Sequence, residues 1–296
     1  MNKRFSILVA TALFISSLSL LVSCDSNEGD DPKPEMKATS IELVSGGNQT
    51  AMVETTLENP VIVLVKDQEG NVFAGETVKF AVSEGSVSAV SVVTDANGKA
   101  NITWTLGASE GTQTLTVTGT STLTGSPLNV TATATPKPAI GDFYAGGVVF
   151  YLDATGTHGL VCAVTDQSDD AKWGCKETTI DGADGTTIGT GAQNTLDILA
   201  GCFTEGTAAD LCSKLDLNGY DDWFLPSEDE LNEMYENKAT INTTALANGG
   251  TAFTDDTHWS SSEENFILAH AIDFTDGTFL NNGKAGFFVV RAIREF

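Results

Sequence analysis

Asn218–Leu231 reads NGYDDWFLPSEDEL: five carboxylates gathered around a tryptophan and a proline, and the parsing of this stretch decides what kind of domain the second half of the chain forms. Pro226 lacks an amide hydrogen and biases Leu225 toward extended backbone, so the segment before it ends there. Ser227, followed three residues later by Glu230, has the pattern of a capping box, in which each side chain satisfies the other's backbone N–H. Glu228 and Asp229 then fall in the first helical turn, where the partial positive charge of the helix start favours carboxylates. Leu231 with Met234 or Tyr235 supplies the buried stripe. An extended segment running into a capped helix therefore accounts for three of the five acids, the cap contributing about 0.5–2 kcal/mol. Asp221 and Asp222 are left, with Asp216 and Asn218 just upstream. Oxygen ligands at this spacing suit calcium, and the same residue types also build Asx turns; both readings stand.

Outward from this junction, strand-like and helix-like segments alternate. GGVVFYLD (146–153), HGLVCAV (158–164), LAHAIDF (268–274) and GFFVVRAI (286–293) are apolar runs of strand length. AQNTLDILAGC puts Leu196, Leu199 and Ala200 at helical spacing, and AADLCSKL continues in the same way. Asp-Gly between alternating apolar residues marks Asp273–Phe279 as a hairpin. Strands first and last with helices between predict an α+β domain over 141–296 whose two ends meet in one sheet.

Taken together, GGVVFYLD, HGLVCAV, WGC, IGTGAQNT, NGYDDWFLPSEDELNEMY, HWSSSEE and VRAIREF resemble the Lcl C-terminal domain family over about Gly141–Phe296. That family is named after a collagen-like bacterial adhesin. The resemblance implies a C-type-lectin-like fold related to the formylglycine-generating and sulfatase-modifying proteins, displayed on a cell surface for adhesion or ligand binding. Two features depart from the adhesin: no Gly-x-y repeat is present, and in this half carboxylates outnumber Lys and Arg several-fold, which disfavours sulfated polysaccharides.

An even number of cysteines points to disulfides where a domain is exported, an expectation that the start of the chain supports. Cys162, Cys175, Cys202 and Cys212 are expected to form two, with short local loops favouring Cys162–Cys175 and Cys202–Cys212. No C-x-x-C knuckle supports a zinc site. Formylglycine-type chemistry needs a reactive cysteine pair, and these four read as structural. THWSSSEE offers His258, Ser260–Ser262 and nearby Asp255 and Asp256, without the nucleophile-elbow pattern of a serine hydrolase. The expectation is a binding module, not an enzyme. Its candidate ligand contacts are Trp259, Ser261 and Glu263 in HWSSSEENF, and Asn281, Asn282 and Lys284 in FTDGTFLNNGKAGF: an aromatic face, a hydroxyl, amides and charges able to hold a sugar or a partner loop. For Trp259, a place in the core is the competing reading. DGADGTTIGTG (181–191) adds Asp181 and Asp184 as a second calcium candidate, with an ordinary flexible loop as the competing reading; calcium is the cofactor these acidic loops would take.

Residues 38–135 read differently. SIELV, PVIVLV, TVKFAV, SAVSVV, ANITWTL, QTLTVTG and LNVTATA are short, rich in Val, Ile and Thr, and separated by turn signals such as DQEGN and DANGK. In ANITWTL, Ile102, Trp104 and Leu106 share one face of a half-buried strand. About seven such strands in roughly 100 residues predict an antiparallel β-sandwich. VKDQEGNVFAGETVKF and VVTDANGKANITWTLG resemble the Ig-like domains of intimin and invasin, which implies a spacer. Pro136 and Pro138 then mark a linker over 136–140.

The beginning of the chain reads as a targeting segment. Lys3 and Arg4 precede an apolar run from Phe5 to Val22, closing on LVSC. This ending resembles a bacterial lipobox, implying loss of residues 1–23 and lipidation of Cys24. DSNEGDDPKPEM extends an acidic, proline-containing tether over 24–37 and resembles surface-export signals of Gram-negative lipoproteins. The expected placement is therefore the outer membrane, lipid-anchored and facing outward, with the membrane and an extracellular glycan or protein as partners. A net charge of −25 disfavours nucleic acid, which needs a basic face.

Overall fold

The computed structural model describes residues 35–296; the expected signal peptide, Cys24 and nearly all of the tether lie outside the described residues. From Ala38 to Thr135 every regular element is a strand. The elements are β1 (Ala38–Ser45), β2 (Gln49–Met52), β3 (Val61–Asp67), β4 (Thr77–Val82), β5 (Ser86–Val87), β6 (Ser91–Val93), β7 (Lys99–Ile102), β8 (Trp104–Thr105), β9 (Gly111–Gly119) and β10 (Leu128–Thr135). They form a three-stranded sheet, β1-β3-β7, a five-stranded sheet, β2-β10-β9-β4-β6, and a two-stranded β5-β8 pair. Alternation builds the core: Val61, Val63 and Val65 of β3, Val78 and Phe80 of β4, and Leu115 and Val117 of β9 all point inward to pack around Trp104. The sandwich expected from the sequence is present. It contains two features that periodicity did not show. ANITWTL is split between β7 and β8 in different sheets, and QTAM forms β2, parallel to β10.

Beyond Ile140 two sheets and four helices follow. β11 (Phe143–Tyr144), β12 (Gly147–Leu152) and β13 (Gly159–Cys162) open this half, and β14 (Ser168–Lys172) leads to α1 (Gly191–Gly201), α2 (Ala208–Ser213), α3 (Glu228–Glu236) and α4 (Lys238–Ala247). β15 (Thr257–Glu263), β16 (Leu268–Asp273), β17 (Thr278–Gly283), β18 (Phe287–Val290) and β19 (Ile293–Glu295) complete it. β11-β12-β13-β19 form one sheet, in which Leu160 pairs with Glu295, so the first and last strands of this half share a sheet. The second sheet runs β14-β18-β15-β16-β17. The strand period divides the core in two. Val149 and Val161 join the three tryptophans 173, 223 and 259 beneath α1 and α2. Val148, Phe150 and Leu160 turn the other way, to Leu231 and Met234 of α3 and Ile241 of α4.

The helix junction is built as the sequence predicts. Ser227 Oγ accepts from Glu230 N at 3.4 Å, and Glu230 Oε2 accepts from Ser227 N at 2.7 Å. The Asp273–Thr278 hairpin is also present, with Gly277 N donating to Asp273 O at 2.8 Å. The face of α1 differs from the expectation. Asn194, Thr195 and Ile198 are buried, whereas Leu196 is 60% exposed and Ala200 is also exposed. Specific hydrogen bonds explain the inversion: Thr195 Oγ1 donates to Gly191 O and accepts from Leu225 N, and Asn194 donates to Gly185 O. Satisfied polar groups are buried here in place of Leu196, while Leu199 packs against the core as its spacing predicts.

Candidate functional site

The loop 180–190 is held against the rest of the C-terminal half by buried polar side chains of β15 and the start of α3. Both carboxylate oxygens of Glu263 accept from Ile180 N, at 2.9 and 3.1 Å, and Glu263 forms an ion pair with Lys284. Lys284 Nζ also donates to Thr178 O at 2.8 Å and lies 4.6 Å from the centre of the Trp173 ring. Ser262 Oγ donates to Gly185 O, and Asn194 Nδ2 donates to both Gly185 O and Ser261 Oγ. Glu230 serves twice: besides capping α3 it accepts from Gly189 N at 2.7 Å. Burial raises its pKa, against the lowering effect of the Ser227 and Gly189 amides.

These contacts revise the expected binding surface. Trp259, Ser261 and Lys284 are fully buried and Glu263 nearly so. Trp259 Nε1 donates to Ala171 O at 2.9 Å, as Trp173 Nε1 does to Ser260 O at 2.8 Å. HWSSSEE is therefore scaffold, because β15 is the middle of a sheet covered on both faces. Of the six candidate ligand contacts, Asn281 is exposed and Asn282 half-buried, both on β17. Nor do the hydroxyls and histidine of this segment converge on one point. Ser260 Oγ donates to His270 O, while His258 stacks on Phe274 at 4.0 Å and bonds Asp256 O through Nδ1.

The cysteine expectation is corrected as well. The disulfide joins Cys175 and Cys202, and Cys162 and Cys212 are free and buried. Strand alternation explains why Cys162 does not pair with Cys175: its side chain packs in the α3–α4 core, while Cys175, Cys202 and Cys212 all lie toward the other core. Burial pushes the Cys162 thiol up to about 12 and raises that of Cys212 too. Neither calcium candidate is assembled. Asp222 gives both oxygens to Arg294, at 2.6 and 2.8 Å, and the Asn218 amide donates to Gly146 O. Asp216, Asp221, Asp181 and Asp184 are exposed, and among the described residues no three His, Cys, Asp or Glu side chains are grouped to hold a metal.

The two arginines of VRAIREF carry structure that sequence reasoning missed. Arg294, pinned by Asp222, lies 3.9 Å from the Tyr220 ring centre and donates to Ala145 O. Arg291 pairs with Asp166 at 2.6 Å and lies 4.0 Å from the Phe253 ring centre. The available signal was a charge inside an apolar run, which requires a partner when buried.

A concavity lined by aromatic and carboxylate side chains lies between β12, β13, β19 and the latched loop. It is a cleft of about 200 Å³ lined by Tyr151, Asp153, His158, Ile188, Gly189 and Phe296, among others. Gly159 in its floor has no room for a side chain: a Cβ there would lie 2.1 Å from Tyr151 O. Phe296 is fixed edge-on by Tyr144 at 5.0 Å. Asp153 Oδ1 accepts from the Thr155 hydroxyl and from the amides of Thr155 and Gly156, which hold its carboxyl below the usual range. Its Oδ2 lies 3.7 Å from His158 Nδ1. Exposed Glu295 adds a second carboxylate. The Glu230 bond to Gly189 N sets one rim of this cleft, so the helix cap read from the sequence also positions the site.

Residues 162–294 match the family model of the Lcl C-terminal domain. No curated protein matches the chain. Among solved structures, a fimbrial protein from Bacteroides ovatus is similar over 86% of this chain and 70% of its own, at 13% identity and a TM-score of 0.43. The Yersinia pseudotuberculosis adhesin InvE is similar over 85% of this chain and 70% of its own, at 14% identity and a TM-score of 0.28. Domains 4 and 5 of the S-layer protein SbsC are similar over 35% of this chain, at 21% identity and a TM-score of 0.26. The chain spans about half the length of the S-layer and intimin fragments it matches.

Proposed function

We propose that this chain is a recognition protein of the cell surface, in which the sandwich of residues 38–135 is a spacer and residues 141–296 are a ligand-binding head. In this reading Cys24 carries the lipid that holds the protein in the outer membrane, and the acidic segment after it directs the protein outward. The head adopts the lectin-like variant of the α+β fold and binds without catalysing a reaction. The observation that carries the binding assignment is the Tyr151–Phe296 cleft. Two aromatic rings, a carboxylate held ionised at Asp153 and a second at Glu295 suit the apolar face and hydroxyl edge of a sugar ring. Those carboxylates, in a chain of net charge −25, select an uncharged or amino sugar over an anionic one.

The test is binding of the purified chain to a broad glycan array, repeated with calcium and with a chelator. Saturable, calcium-independent binding of neutral glycans, weakened roughly tenfold by Tyr151→Ala and lost in Asp153→Asn, is the expected result. Retention of full binding in both variants would move the site elsewhere. Absence of binding, with co-purification of envelope proteins, would favour a structural role through protein contacts. Protease shaving of intact cells, compared with a Cys24→Ala variant, tests the placement.

A further inference from the structure

β17 is the outermost strand of its sheet; it pairs with β16, and among the described residues no strand runs along its other side. Lys284 N donates to Ile267 O at 2.9 Å. Counting back along the antiparallel ladder, residues 280 and 282 bond to β16 in the same way, while Thr278 N donates to Asp276 Oδ1 at 3.0 Å; the N–H and C=O of Phe279 and Asn281, and the N–H of Gly283, therefore point outward. Gly283 O already accepts from Gly286 N at 2.7 Å and keeps one lone pair. Native sheets blunt such edges with lysine, proline or a bulge. This edge has none of them: Gly277–Gly283 reads GTFLNNG, without a charge, and its register with β16 runs without a shift. Phe279 is 51% exposed, and Asn281 and Gly283 are exposed beside it.

We propose that β17 is the self-association edge of this protein, pairing antiparallel with β17 of a second copy about a two-fold axis at Asn281. The edge is self-complementary in that register. Asn281 meets the other copy's Asn281, and Phe279 meets Gly283 on both sides of the axis. All of these are outward-facing residues, so they make hydrogen-bonded pairs and fuse two five-stranded sheets into one. A Cβ on Gly283 would have nothing within 4 Å. The incoming Phe279 ring therefore lies over open backbone, the aromatic-on-glycine arrangement that pins strand register. Two asparagine amides, each donor and acceptor, face one another at the axis. A slip of one residue would bring inward-bonded residues to the seam and lose the ladder. Electrostatics selects the same strip: two chains of net charge −25 repel, and an uncharged seam is where they approach at least cost. Association therefore strengthens as salt screens the remainder.

Sedimentation velocity on the full chain across protein and salt concentration is the test. The expected result is a monomer–dimer equilibrium that shifts to dimer with either variable. Asn281→Pro removes an outward N–H while leaving the β16 bonds of residues 280 and 282 in place. It is expected to weaken the dimer at least tenfold with unchanged circular dichroism. Asn281→Cys provides a reading that does not depend on the proline variant folding. Hydrogen-bonded antiparallel partners have Cα atoms about 5.5 Å apart, within disulfide range. Mild oxidation is expected to link residue 281 to residue 281, while Leu280→Cys, on the other face, stays unlinked. A chain that stays monomeric throughout, a dimer indifferent to Asn281→Pro, or cross-linking through Leu280→Cys would each overturn the proposal. So would a monomer that binds only foreign extended peptides at this edge.

Discussion

The loop that rims the cleft depends on one buried ion pair, and removing half of it is the most informative perturbation. Glu263→Gln keeps the shape of the side chain and deletes its charge. Lys284, with no exposed side-chain surface, then has no counter-charge, only neutral acceptors (Thr178 O and the new amide oxygen) and the face of Trp173. Breaking a buried pair by removing one partner costs about 3–5 kcal/mol, because the remaining charge stays desolvated. Ile180 N, which donates to both carboxylate oxygens, must then compete with Lys284 for one amide oxygen, so the expected loss is toward the upper end of that range. At about 2–4 °C per kcal/mol for a domain of this size, melting of the head falls by about 10 °C or more. Urea unfolding followed by tryptophan fluorescence measures it, since Trp173, Trp223 and Trp259 report on the head and Trp104 on the sandwich. Faster hydrogen exchange at Ile180 gives the local reading. The double variant Glu263→Leu/Lys284→Met removes both charges and is expected to recover part of the loss. A Glu263→Gln protein within 1 kcal/mol of the parent, on the order of the 0–1 kcal/mol of a surface pair, would show that the pair carries no load. A double variant weaker than either single would refute the desolvation argument itself.

Two further outcomes follow from the same core. The Cys175–Cys202 bridge spans a sequence separation of 27, so Cys202→Ser is expected to cost about 3–4 kcal/mol in urea unfolding, while thiol reagents reach Cys162 and Cys212 only in unfolded protein. His258 is held neutral by burial, with its pKa lowered to about 4 from 6.5. The unfolded chain then binds the extra proton first, so stability falls as pH drops from 6.5 toward 4, by about 3 kcal/mol at 1.36 kcal/mol per unit. His258→Phe, which keeps the stack on Phe274, is expected to remove that slope. An unchanged slope would place the acid sensitivity on the carboxylates.

Local chemistry was legible from residue order. Ser227 with Glu230 announced a helix start because a capping box needs only four consecutive residues, and Asp-Gly announced the β16–β17 turn for the same reason. Valines at period two marked the sandwich strands, since alternation on a pleated ribbon needs no knowledge of the partner strand. The acidic excess was also plain from composition. What folding settled lies in pairings between residues far apart in sequence. Glu263 meets Lys284 and the 180 amide, Arg294 meets Asp222, Cys175 meets Cys202, and Glu230 reaches Gly189. Two of these pairings turned candidate ligand or calcium residues, Glu263, Lys284 and Asp222, into scaffold. A carboxylate, a lysine or a tryptophan looks the same in sequence whether it faces solvent or a buried partner. That difference arises when two segments are brought together and water is excluded between them.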